Sequence, residues 1–265
     1  MRSPEPAFDL RAAMSEELRA AIGELDGAKD NPKAIHQCRV HVKRARSLSR
    51  VGRVCAPGLS SVFHDSARAL MRNLALARDP AALSEAAHAA ANKRSGLQKR
   101  ALNAVAESLA DEMCARPNLN IEAVRAGLKD LLALAQVWPE ASPRQIKKGA
   151  KRIERRARKA RRRGLSTHNP DQRHKWRTRE KDRYYAALLL ADAWPGKRKL
   201  KKGSQAGDLL GKERDTLLLM ERLIFDPDIA GEPRSAGRAL KALDRRRRRL
   251  HRRANRAGAL MRANA

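Results

Sequence analysis

Between residues 35 and 45, Ile35, Cys38, Val42 and Ala45 are small or apolar and spaced three and four residues apart. That spacing puts all four on one stripe of a helix, suited to packing on a neighbour. Strand-type alternation of Val, Ile and Thr is nearly absent, and the strong helix formers Ala, Leu, Arg, Lys and Glu dominate. The chain therefore reads as all-α. Breakers set the joints at Asn31–Pro32, Pro57–Gly58, Asp79–Pro80, Pro117–Asn118, Pro139, Pro143, Asn169–Pro170, Pro195–Gly196, Pro227 and Pro233. Ser142 before Pro143 and Asn169 before Pro170 predict capped helix starts. Short connections between such helices predict antiparallel bundles.

The segment ARPNLN at 115–120 divides the chain into similar halves, 7–116 and 117–262. The halves echo each other. His36, Arg39 and Lys43 recur as His174, Arg177 and Lys181 at an offset of 138, and Arg78–Asp79 recurs as Arg214–Asp215 at an offset of 136. Two matches in the same order at nearly one spacing imply an internal duplication.

Charge changes the picture from fold to partners. Lys and Arg number 59 against 29 acids, a formal charge of +30, which draws polyanions: nucleic acid, an anionic membrane surface or inorganic polyphosphate. At 42 % hydrophobic residues the chain holds enough apolar surface to fold, which argues against a disordered basic tail. Aromatic residues are only 3 %, so base stacking is weakly provided for while phosphate recognition is untouched. The three cysteines form no CxxC pair, which predicts buried thiols in a reducing compartment. The first residues hold no apolar signal region, and no apolar run nears the ~18 residues of a membrane span; a cytoplasmic protein with no membrane partner is expected.

On a helix, His36, Arg39, Lys43, Arg46 and Arg50 fall within a sector of roughly 80°. No acid interrupts this stripe, whereas solvated helices usually interleave Glu with Lys. Imidazole, guanidinium and ammonium together suit a phosphate-binding row. The second copy repeats the start as His174, Arg177 and Lys181, then places Tyr184 where the first has Arg46; packing is the expected role of that ring. A metal site is not expected: His36 and His41 lie on different faces, paired Cys/His spacing is absent, and the flanking cations repel a metal ion. Neither a P-loop nor a pattern of metal-binding acids appears, so no catalytic residue and no cofactor is expected.

Residues 144–163 carry twelve Lys or Arg and one acid, Glu154. Lys148, Lys151, Arg152, Arg155, Lys159 and Arg162 share one side and read as a binding wall; Arg156, Arg158, Arg161 and Arg163 spill round it. Eight arginines between 245 and 256 read equally as a solvated terminal helix or as a further rail. Asp79 and Asp215, acids among cations, are expected to orient an arginine from a facing helix.

The pattern HxxRxxxK, followed about forty residues later by RD and then repeated, resembles the CHAD family, the conserved histidine α-helical domain. HQCRVHVKRARSL resembles its first block, HKWRTREKDRYYAALLL its second, and SARALMRNLALARD and LLGKERD the helices that close each half. The resemblance covers about residues 8–260. It implies two helical bundles related by a pseudo-twofold axis around a basic central cavity, binding of inorganic polyphosphate and association with polyphosphate granules. It carries the ligand contacts to His36, Arg39, Lys43, Arg46, His174, Arg177 and Lys181. The ExExK motif of a triphosphate-tunnel enzyme, which some relatives carry, is absent, pointing to a stand-alone binding protein. Non-sequence-specific nucleic-acid binding through the arginine tracts is the alternative.

Overall fold

The computed structural model describes residues 8–27, 32–76, 79–114 and 120–261. These fold into ten α-helices: α1 Leu10–Gly23, α2 Pro32–Val51, α3 Pro57–Leu76, α4 Asp79–Ala91, α5 Gly96–Cys114, α6 Ile121–Gln136, α7 Pro143–Leu165, α8 Pro170–Leu190, α9 Leu200–Phe225 and α10 Pro233–Leu260, with no strand among the described residues. The expected starts of α7 and α8 are both capped. Ser142 accepts from the Gln145 backbone while the Gln145 side chain accepts from the Ser142 N–H, with Pro143 entering the helix. Asn169 accepts from the backbones of Asp171 and Gln172 ahead of α8.

Three apolar cores hold the helices. The first joins α1, α2, α3 and α6 with the start of α7 and the end of α8, around Met14, Val42, Leu48, Phe63, Leu131 and Trp138. The expected seam on α2 belongs to it: Cys38, Val42 and Ala45 are fully buried and Ile35 packs against them. The second joins α4 and α5 to the end of α9 and the start of α10, through Leu102, Val105, Leu109, Leu219 and Leu243. The third is smaller and centres on Trp176, with Leu210, Leu250 and Ala254. Each of the first two cores takes helices from both sides of residue 117. No helix among the described residues is long and apolar enough to cross a membrane.

Charged groups also enter the interior. Glu180 is fully buried and bonds Arg183 Nε at 2.6 Å, with Arg161 at 3.7 Å; Arg183 is itself 1 % exposed. Arg161 therefore does not spill onto the surface of α7, as its spacing implies, but lies in the core beside Met261. Glycines allow these helices to close. Gly203, Gly207 and Gly211 on α9 lie under the side chains of Arg183, Lys181 and Arg177 of α8. Gly164 and Gly258 press on the two sides of Trp176, and Gly149 of α7 lies against the Val51 carbonyl at the end of α2.

A methyl group at Gly149 would meet fixed backbone, not a movable side chain. Gly149→Ala is expected to lower the stability read by urea unfolding by about 2 kcal/mol, as overpacking does. Gly23→Ala, which meets open space, should leave the midpoint unchanged or raise it slightly.

Candidate anion-binding site

Helices α2 and α8 pack directly on each other, and α7 lies across both. At this junction Arg50 Nη1 donates to Asp182 Oδ1 at 2.6 Å, and Arg179 donates to the other carboxylate oxygen at 3.3 Å. Arg50, Arg53, Arg152, Arg156 and Arg179 line one small hollow with Asp182 and Ile153. Arg46 and Arg68 stand close enough to act on the same charges. Five arginines thus share a hollow with Asp182, and Arg46, with Arg68 beside it, adjoins them. One carboxylate cannot neutralise them, and Arg46, Arg50, Arg152, Arg156 and Arg179 are partly withdrawn from water.

The electrostatics record that strain. Burial, then the neighbouring Arg50, pushes the Arg46 guanidinium down to about 10, still charged at neutral pH. Burial also lowers Arg50 and Arg156, each further opposed by adjacent arginines. His64 of α3 faces the cluster, with Nδ1 3.4 Å from Arg46 and 3.3 Å from Arg50. A ring nitrogen that accepts from a guanidinium must be unprotonated. Burial, then Arg50 and Arg46, accordingly lowers its pKa to about 4. Arg46 Nε is buried without a hydrogen-bond partner.

A much larger groove opens from the same place. It runs along α7, has a volume of about 1310 Å³, and is lined by Lys148, Lys151, Arg152, Arg155, Arg156 and Lys159 among others. The groove and the hollow share Arg152 and Arg156. Of the residues expected from sequence, Arg46, Arg50, Lys148, Arg152 and Arg155 therefore gather around one continuous cationic surface. His36, Arg39 and Lys43 lie further along α2 towards its start, each half-buried.

The second row lies against α9. Arg177 and Lys181 rest against Gly211 and Gly207 of α9, and Lys181 Nζ is held by Asp208 at 2.7 Å. The α8 residues that meet Arg46 and Arg50 are Arg179 and Asp182, on a different face of the helix from the row. His174 opens into a separate hollow with His168, Arg173, Glu213, Arg214 and Arg247, and burial together with Arg177 and Arg214 lowers its pKa. Tyr184 is half-buried, tilted against Tyr185 at 5.3 Å between ring centroids, with the Lys181 ammonium 5.8 Å from its ring. Asp215 is half-buried on α9; the Asp79 side chain lies outside the described residues.

Arg53, Arg68, Arg156, Arg179 and His64 were not singled out from sequence as site residues. The α2 helical spacing points to Arg53, three residues beyond Arg50. Arg68 and His64 come from α3, and only tertiary packing brings them in. Among the described residues no group of three or more His, Cys, Asp or Glu is placed to hold a metal ion.

Fold and site together define an all-helical protein with arginine concentrated where three helices meet. The chain belongs to the CHAD domain family, whose model matches residues 12–224. Its fold is similar to the crystal structure of the CHAD domain from the plant Ricinus communis, with a TM-score of 0.60 over 94 % of this chain and 89 % of that one, at 19 % identity. No curated protein sequence matches.

The low His64 pKa has a thermodynamic consequence. A histidine whose folded pKa lies below its ordinary 6.5 contributes stability that is present above that pH and lost as pH falls towards 4. The urea midpoint of the wild type should therefore fall more steeply between pH 6.5 and 4 than that of His64→Asn. Parallel pH profiles would contradict the burial of His64 against the arginines.

Proposed function

We propose that this protein binds inorganic polyphosphate along the cationic surface formed by the α7 groove and the α2–α7–α8 junction, and that it does so without chemical turnover. The carrying observation is the set of five arginines around one carboxylate, adjoined by Arg46 and continuous through Arg152 and Arg156 with the long groove. A linear chain of phosphates matches an elongated, cationic groove. Each phosphate offers oxygens to guanidinium forks and relieves repulsion that exists only when the fold is assembled. Family membership favours the same reading, since the resemblance implies polyphosphate as ligand. In this reading Arg46, Arg50, Arg152, Arg155, Arg156 and Lys148 hold the chain, and Asp182 keeps Arg50 and Arg179 oriented towards it. His36, Arg39, Lys43, His174, Arg177 and Lys181 extend the contact where the chain reaches along α2 and α8. The protein would act in the cytoplasm at polyphosphate granules.

Removing two charges from the junction with Arg46→Ala and Arg156→Ala should weaken long-chain polyphosphate binding roughly a hundredfold, the loss of two charge-assisted contacts. Removing two charges elsewhere, with Arg100→Ala and Arg238→Ala, should change it little. Equal losses would mean diffuse attraction with no site. Affinity should also fall with salt at a log–log slope of roughly −0.7 per phosphate contacted. Duplex DNA that displaces polyphosphate at equal phosphate concentration would favour nucleic acid as the ligand. Shortening of the chain on a gel after incubation with Mg²⁺ and nucleotide would contradict the absence of turnover.

A further inference from the structure

A second basic hollow, of about 280 Å³, lies between the α7–α8 connection and α10, lined by His168, Arg247, Arg248, His251 and Arg252. No acid lines it. Its floor is fixed. The His251 Nδ1–H donates to the Glu213 carboxylate at 3.0 Å, and Nε2 accepts from the Asn255 amide at 3.3 Å, so the ring is held neutral with both nitrogens used. Glu213 is in turn gripped by Arg173 through two bonds of 2.7 and 2.6 Å. His168 stacks on this fixed ring, with centroids 4.5 Å apart and planes 14° from parallel. That leaves the edge of an exposed imidazole beside the arginines of successive α10 turns.

The arginines are incompletely compensated. Asp244 alone serves two of them, accepting from Arg247 at 3.1 Å and from Arg248 at 2.8 Å. Arg247 Nε is buried with no hydrogen-bond partner. The Arg247 guanidinium, the Arg252 guanidinium five residues further along α10 and the His168 imidazole edge form a three-sided donor set. That set fits a tetrahedral oxyanion better than a planar carboxylate. The hollow also shares His168 and Arg247 with the hollow that holds His174, so it stands at the end of the α8 row.

We propose that this hollow is a site for a terminal phosphate group, that of a short inorganic oligophosphate or the end of a longer chain, held by Arg247, Arg252 and His168. It is a different site from the α2–α7–α8 junction and does not require that the junction bind ligand.

The test is a titration of the full chain, labelled in its histidine rings, with tripolyphosphate, read by imidazole NMR. His168 and His251 resonances, assigned with His168→Gln, should move and saturate. Arg247→Ala with Arg252→Ala should raise the midpoint about tenfold or more, the loss of about one charge-assisted contact or more. Arg100→Ala with Arg238→Ala removes the same charge elsewhere, so the counterion contribution is matched, and should leave the midpoint unchanged. Equal midpoint shifts in the two double variants, or movement of His64 while His168 stays still, would overturn the site. Arg46→Ala with Arg156→Ala separates the two readings: it should weaken long-chain polyphosphate while leaving the tripolyphosphate response of His168 intact. Long-chain polyphosphate that moves His168 in proportion to its chain ends identifies the polymer terminus as an occupant; a response to tripolyphosphate alone identifies the free oligophosphate.

Discussion

Mutual repulsion among cations is the constraint this fold must satisfy, and a few carboxylates satisfy it from within. Glu180 ties Arg161 of α7 and Arg183 of α8; Glu213 ties Arg173; Asp182 ties Arg50 of α2 to Arg179. All three acids are buried, where Coulomb attraction is less screened than at the surface. Each sits where helices meet, so each ion pair also fixes how those helices lie. A buried pair of this kind contributes little net stability, because desolvation offsets attraction, but breaking it leaves a stranded charge. Their effect is placement: the carboxylates settle which arginines point inward, and others are left to line the basic surface.

The distribution of that remainder is uneven. At the α2–α7–α8 junction one acid shares a hollow with five arginines, whereas at Glu180 and Glu213 the balance is nearer to even. The third core shows the alternative solution, in which glycine removes bulk so that a long cationic side chain can lie flat on the neighbouring helix. Arg177 and Lys181 take that course over Gly211 and Gly207. Their row thereby lies against α9.

Much of the fold could be read in the sequence because helix-forming chemistry is local. The Ile35–Cys38–Val42–Ala45 seam and the caps at Ser142 and Asn169 depend only on neighbours within a turn or two. The site was legible in part, for the same reason: Arg46, Arg50, Arg152 and Arg155 share helix faces that spacing alone reveals. What spacing cannot show is which helix a face meets. Arg161 sits in a string of charge that reads as spilling round α7, and the buried Glu180 between it and Arg183 makes an interior position tenable. His64 had no company in sequence, yet it touches two arginines from another helix. The row at His174 was visible as a row, but its partner helix depended on glycines of α9 whose role emerges only on packing.

The placement of the tryptophans has a practical corollary. Trp138 and Trp194 belong to the first core and Trp176 to the third, and these are the only three indoles in the chain. The second core, built from α4, α5 and parts of α9 and α10, contains none and is optically silent. Intrinsic fluorescence would therefore report melting of two cores and miss a local opening of the other. Far-ultraviolet dichroism, which counts every helix alike, would register it, so a gap between the two signals measures whether this molecule comes apart in one step.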